Sequence, residues 1–146
     1  LVGSDHGGYT EQMQALSAQL HLEDKVQFLG SRTDVPQLLQ AADLFVHPAT
    51  CQEGFGITLI EAMASGVPCL AFPKGAIPEI IGPEIDGFLT EEVSAAALTA
   101  GINRALELFT KAPHHWHTLC KNARQKAELF SIERTVAQLE ALYQEQ

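Results

Sequence analysis

The sequence predicts an α/β fold, a parallel sheet with helices on both faces followed by a helical C-terminal segment. Three observations predict it. Short runs such as Leu44-Phe45-Val46-His47 and Val67 to Phe72 are apolar without alternation, as strands buried on both faces are. These runs alternate with segments of helical periodicity, the pattern of strand–helix–strand units. From Ser94 onward only helical patterns follow.

The elements are expected in the following order. Leu1-Val2-Gly3 reads as the end of a strand, and a polar turn, Ser4-Asp5-His6-Gly7-Gly8, follows. Tyr9, Met13, Leu16 and Leu20 recur at helical spacing among polar residues and predict an amphipathic helix. Val26 to Leu29 is a short strand ended by Gly30. Asp34 is placed to cap a helix with Val35 and Pro36 in its first turn, running to about Ala42. Leu44 to His47 is a strand stopped by Pro48. Gly56 to Ser65 is a helix closed by Gly66. Val67 to Phe72 is a strand, Ile77 to Ile81 a short helix, and Gly87-Phe88-Leu89 a last strand. Helices over 94–109 and from Pro113 to Phe130 follow. Ser131 caps a third, whose apolar stripe is Ile132, Val136, Leu139 and Tyr143.

The 146 residues amount to one domain, 1–146, with a hydrophobic fraction of 46% and a charged fraction of 18%. The net charge of −9 repels phosphate backbones and anionic bilayers, which argues against nucleic acid and membrane as partners of this chain. No apolar run approaches the roughly 18 residues of a membrane helix. The opening shows no charged-then-apolar leader, and it lacks an initiator methionine, so a fragment is expected. Cys51, Cys69 and Cys120 are odd in number and widely spaced. They read as reduced thiols of a cytoplasmic protein.

In parallel sheets ligands sit beyond the carboxyl ends of the strands, which directs attention to the loops 30–35, 48–56 and 73–78. Gly54 and Gly56 lie where a strand gives way to a helix, and glycine there lets the backbone approach a ligand closely. The helix opens with unpaired N–H groups at Gly56, Ile57 and Thr58, and its dipole favours an anion such as phosphate. Glu61 sits among Leu59, Ile60, Ala62, Met63 and Ala64 and is expected to be buried, where an unpaired carboxylate costs several kcal/mol. Ribose hydroxyls are candidate donors to it. Glu53 precedes the glycines on the loop over the same anion site, where a carboxylate suits sugar hydroxyls or charge developing on a sugar ring. Each feature has a plain alternative. Glycines at a strand-to-helix turn are often purely steric, and a glutamate in an apolar helix can bond a neighbouring backbone group or arginine. Two carboxylates bracketing the glycines tip the reading toward function.

This segment, Glu53-Gly54-Phe55-Gly56 through Glu61-Ala-Met-Ala-Ser-Gly-Val-Pro68, resembles the Glu-x7-Glu signature of the retaining, family-four (group 1) glycosyltransferases. The flanking segments resemble the same family in the same order. They are Val26 to Gly30 with Arg32 to Pro36, Ala42 to Pro48, Gly75 to Ile81, Gly87 to Leu89 and Phe130-Ser131. The likeness implies the C-terminal, donor-binding half of a GT-B fold, with a Rossmann-like sheet. It implies that Glu53 is the catalytic residue contacting donor-sugar hydroxyls, that Gly54, Phe55, Gly56, Ile57 and Thr58 hold the diphosphate, that Glu61 binds the ribose, and that the loop near Arg32 passes the base. The implied partners are a nucleotide-diphosphate-sugar donor and a glycan, lipid or small-molecule acceptor held by an N-terminal domain absent from this chain. Neither cofactor nor metal is implied, and the sequence contains no Asp-x-Asp. Localisation is expected to be cytoplasmic, with any peripheral contact at the inner membrane face made by the missing domain. The resemblance also implies a strand and helix ahead of Leu1 that carry an Arg and a Lys for the diphosphate, the strand lying in the sheet between the strand of residues 1–3 and that of residues 44–47. On that reading the chain alone is inactive and its sheet incomplete. The alternative function is a non-catalytic nucleotide-sugar-binding module or one subunit of a split transferase. A remoter rival, a GT-B-like sugar-nucleotide epimerase, wants acid and base residues that this segment does not visibly offer.

Three further features carry less. His114, His115, His117 and Cys120 lie beside Trp116 at spacings that match no strong zinc pattern. Cys51 has no base paired with it in sequence and reads as a loop residue. Glu91-Glu92 reads as a solvated helix start.

Overall fold

A computed structural model describes residues 1–3 and 7–144. Of the expected polar turn at 4–8, Ser4, Asp5 and His6 lie outside the described residues. The chain forms two compact units, Leu1–Val35 and Pro36–Gln146. Among the described residues no helix is long and apolar enough to cross a membrane.

In the first unit, α1 (Tyr9–Gln19) starts from Gly8, which holds a left-handed conformation at φ 76°. The expected helix is present, but its expected apolar face is not covered: Tyr9, Met13, Leu16 and Leu20 are exposed, and the buried residue is Ser17. Tyr9 and Met13 instead line an open groove of about 300 Å³ with Leu1, Val2 and Phe28. One helix and two short extended segments supply too little surface to bury the stripe. The expected strand at Val26 to Leu29 is irregular. Leu1 N donates to Gln27 O at 2.6 Å, Leu29 N–H to Leu1 O at 2.9 Å and Gly3 N–H to Gly30 O at 3.0 Å, without a regular ladder. Gly30, at φ 62°, turns the backbone out of extended geometry just after Leu29. The Asp34 carboxylate, expected to cap the next helix, is engaged by Arg32 Nε and Nη2 at 2.8 and 2.7 Å. Helix α2 (Val35–Gln40) follows.

The second unit holds the sheet. Strands β1 (Phe45–His47), β2 (Cys69–Ala71) and β3 (Gly87–Leu89) are parallel in the order β1-β2-β3. Phe45, Cys69 and Gly87 stand in one row and His47, Ala71 and Leu89 in another. Parallel neighbours need crossovers, and α3 (Ile57–Ala64) and α4 (Ile77–Ile80) provide them. All three β2 residues are buried. Cys69 Sγ reaches Leu59 O of α3 at 3.6 Å. The next residue, Leu70, points to the other face. There it packs with Phe88, Ala105, Trp116 and Leu119. The expectation of helices over both faces is therefore met at β2. Phe88 stacks on Trp116 at 6.4 Å between centroids, and Phe109 meets the indole edge-on at 5.4 Å. Burial of side chains of this size stabilises by about 1.5–3 kcal/mol each.

Helix α5 (Ala95–Lys111) is capped by Ser94, whose Oγ accepts Ala97 N–H at 3.0 Å. Pro113 opens α6 (Pro113–Ala127), which tightens into a 3-10 turn at Glu128–Phe130. Helix α7 (Ile132–Gln144) follows Ser131 as expected. Its stripe of Ile132, Val136, Leu139 and Tyr143 is present and exposed. A 3.6-residue period shows that a helix has an apolar side and says nothing of what covers it.

Candidate functional site

The site lies where β1 ends. Pro48 cannot donate to a ladder, so the strand stops at His47 and the loop 48–56 leaves from its carboxyl end. The loop returns through Gly56, the N-cap of α3, at φ 76°. A Cβ on Gly56 would lie 2.8 Å from Ile80 Cδ1, so the loop enters the helix against a packed wall.

Glu53 is held at two points and approached at a third. Its Oε1 accepts Gly56 N–H at 3.0 Å, which places the carboxylate on the positive end of α3. Its backbone oxygen accepts Ala76 N–H at 3.0 Å. Its Oε2 lies 3.4 Å from His47 Nε2, with the two side chains 27% and 19% exposed. Chiefly the Gly56 amide, then the Phe55 amide and His47, hold the Glu53 carboxyl below the ordinary glutamate range, against partial desolvation. The loop carrying Ala76 approaches Glu53 this closely because residue 75 is glycine. At φ 56°, a Cβ there would stand 2.1 Å from Glu53 O.

Two sequence expectations are corrected here. The Gly56 amide is not unpaired, because Glu53 itself occupies it. The amides of Ile57 and Thr58, both on exposed residues, are the next two that helix geometry leaves without an internal partner. Glu61 is exposed, not buried. Helix α3 packs Leu59, Ala62 and Met63 inward and turns Ile57, Thr58, Glu61 and Ala64 outward. Seven of its eight residues are uncharged, yet only one side of it is covered. A solvated carboxylate at 61 carries no burial cost, and it shares the exposed face that begins at the α3 N-terminus.

Gly54 is exposed. Phe55 is 55% exposed, with its ring edge-on to Phe130 of the 3-10 turn at 6.2 Å. Arg32 and Asp34, in the first unit, form an exposed ion pair at 2.7 Å that lowers the Asp34 carboxyl and raises the arginine further. Cys51 is exposed on the loop before Glu53. Cys69 is buried and its thiol is pushed far up by desolvation. Burial also raises Cys120. His114, His115 and His117 are exposed. Among the described residues no three His, Cys, Asp or Glu side chains converge as metal ligands.

Sequence reasoning missed His47 and the clamp of Gly75 and Ala76 on Glu53. His47 carried one usable signal, a polar residue closing an apolar strand at the end where ligands bind. For the clamp the signal was only that loops 48–56 and 73–78 both leave carboxyl ends of strands; the contact itself was not legible, since Gly75 and Glu53 lie far apart in sequence.

Residues 1–126 match the family model for glycosyl transferases, group 1. The chain belongs to this family. It is 36% identical over 129 residues to the N-acetyl-alpha-D-glucosaminyl L-malate synthase of Bacillus anthracis, a match that covers 88% of this chain and 32% of that enzyme. Among solved structures it is similar to HepE of Anabaena in complex with UDP, with a TM-score of 0.79 and 32% identity over 97% of this chain and 40% of that one. It is also similar to sucrose-phosphate synthase from Thermosynechococcus elongatus, with a TM-score of 0.84 and 33% identity over 99% of this chain and 37% of that one. The chain thus spans about a third of the length of the curated relatives it matches. Its parallel α/β architecture is that of the GT-B glycosyltransferases.

Proposed function

We propose that this group 1 glycosyltransferase chain supplies the donor site for transfer of a sugar from a nucleotide-diphosphate sugar to an acceptor hydroxyl, with retention. The observation that carries the reading is the Glu53 carboxylate, fixed on the first amide of α3 at the carboxyl end of β1. Glu53 is the residue that contacts the donor sugar. Gly56 N–H takes one lone pair of Oε1 and Oε2 makes no full hydrogen bond, which leaves places on both oxygens for sugar hydroxyls. The Ile57 and Thr58 amides, together with the loop around Gly54, Phe55 and Gly56, hold the diphosphate. Glu61, on the outer face of α3, accepts the ribose hydroxyls. HepE, at 32% identity, has been solved with UDP-glucose as well as UDP, which makes a uridine donor the first to test.

The chemistry follows from the charges. Departure of the nucleotide places negative charge on the distal phosphate, and preorganised amides with a helix dipole stabilise it without reorganising. The acceptor hydroxyl enters on the face the phosphate leaves, and the phosphate takes its proton. No protein nucleophile and no divalent metal enter the scheme. The acceptor, a glycan, lipid or small molecule, is bound by residues outside this chain, and the Arg and Lys side chains that complete the diphosphate site also lie outside it. The chain alone therefore binds donors in the millimolar range, about −4 kcal/mol, and turns nothing over.

The test is a titration of the chain with UDP, UDP-glucose, GDP-mannose and ADP-glucose, followed by backbone amide shifts. One nucleotide class is expected to move Ile57 and Thr58 first, and Glu61→Ala to remove the response. Shifts confined to another part of the chain, or a micromolar Kd for the unassisted chain, would overturn the corresponding part of the proposal.

A further inference from the structure

We infer that His47 is a positioning residue for Glu53, its Nε2 loosely engaged with the second carboxylate oxygen in the free chain and closing onto it when a donor sugar is bound. The inference rests on the reading above, in which Glu53 contacts that sugar.

The geometry begins with an unsatisfied group. His47 Nε2 is buried and makes no hydrogen bond. An imidazole nitrogen without a partner is costly to bury, and such atoms are uncommon in folded proteins. The nearest acceptor is Glu53 Oε2, at 3.4 Å, too long and too poorly aligned for a full hydrogen bond. The pair is restrained on its other sides. Phe45 stacks against the His47 ring at 6.2 Å and 24°. β1 holds the His47 backbone in register with Ala71. Glu53 is fixed through Oε1 by Gly56 N–H and through its carbonyl by Ala76 N–H. What remains is rotation of the carboxylate about the bond to its terminal carbon, and His47 Nε2 is placed to stop that rotation. Catalytic contacts that are loose in a free enzyme commonly tighten in the complex. A movement of about half an ångström brings Nε2 within the usual range of roughly 2.7–3.2 Å. With both oxygens anchored, the free lone pairs have one orientation, and the sugar hydroxyls meet an acceptor that no longer has to be ordered.

The test has two arms that fail separately. In the free chain, the Glu53 carboxyl is titrated by carbon-detected NMR in the wild type, His47→Phe and His47→Gln. His47→Phe is expected to raise the midpoint toward the ordinary glutamate value, and His47→Gln, which keeps an N–H donor near the same place, to restore most of the depression. An unchanged midpoint in His47→Phe, with the Gly56 amide shift retained, refutes the contact. In the second arm, UDP-glucose and UDP are compared by amide-shift titration. His47→Phe is expected to weaken UDP-glucose about tenfold and UDP less than twofold, with recovery in His47→Gln. Equal weakening of both ligands refutes a positioning role and leaves His47 structural. A midpoint that moves while UDP-glucose affinity stays at the wild-type value, or a wild-type chain in which UDP-glucose binds no better than UDP, refutes the assignment of Glu53 to the sugar instead.

Discussion

Replacing Gly75 with alanine tests whether the loop 74–76 is what locates Glu53. The substitution forces a residue with a Cβ into φ 56°, which costs about 1–2 kcal/mol for an L-residue in the left-handed region. The new Cβ would stand 2.1 Å from Glu53 O, 2.7 Å from Glu53 N and 2.9 Å from Glu53 C, all of them backbone atoms. No rotamer relieves such a contact, so the two loops must move apart. Separation gives up the Ala76 N–H bond to Glu53 O, worth about 1 kcal/mol. With the steric contact added, the expected loss is about 3–4 kcal/mol, the upper range for single substitutions. Gly66→Ala is the control. Gly66 has φ 79°, and a Cβ there would meet nothing within 4 Å, so the substitution carries only the backbone cost, about 1–2 kcal/mol. Urea denaturation followed by Trp116 fluorescence reads both, because the single tryptophan lies in the core of the second unit. Gly75→Ala should also move the Glu53 carboxyl toward its ordinary titration range. A difference between the two variants below about 1 kcal/mol, or an unmoved Glu53 carboxyl, would refute the clamp.

Three further outcomes are expected. Leu70→Ala, at the centre of the sheet and of the Trp116 cluster, should cost about 3–4 kcal/mol in the same denaturation assay, and a loss under about 1 kcal/mol would mean that the cluster is not the core. Asp86 is buried, and desolvation raises its carboxyl above the ordinary value even though Oδ1 accepts Gly82 N–H at 2.7 Å. A folded value above the unfolded one, about 3.9, makes its contribution complete below that pH and lost as pH rises through the folded value. Asp86→Asn keeps the acceptor and removes the charge, so its melting temperature should exceed the wild type's at about pH 7 and the gap should close toward about pH 3. A gap independent of pH would count against this. Finally, Glu53→Ala should weaken UDP-glucose about tenfold and spare UDP, whereas Glu61→Ala should weaken both about tenfold, roughly what one hydrogen bond to a charged group supplies. Wild-type UDP affinity in the Glu61→Ala chain removes Glu61 from the ribose.

Most of the second unit is legible in the sequence because its signals are local. The strand at 87–89 is bounded as expected, and the strands at 45–47 and 69–71 fall within their expected apolar runs, since strands buried on both faces lack alternation. The helix at 57–64 follows from the glycines at either end, and those at 95–111 and 132–144 from Ser94 and Ser131. The Glu-Gly-Phe-Gly segment is legible as a site for the same reason, its residues being neighbours in sequence. Tertiary structure decides the rest. Composition alone suggests a buried Glu61, but the direction in which α3 packs leaves it in solvent. Periodicity identifies apolar stripes on α1 and α7, but only packing shows that both are open. The partners of Glu53 are invisible in the chain's order: His47 closes the strand before its loop, and Gly75 and Ala76 lie on a loop beyond the next strand. Hydrogen bonding and steric contact act over a few ångströms of space, and sequence distance records that proximity only within a turn or a helix.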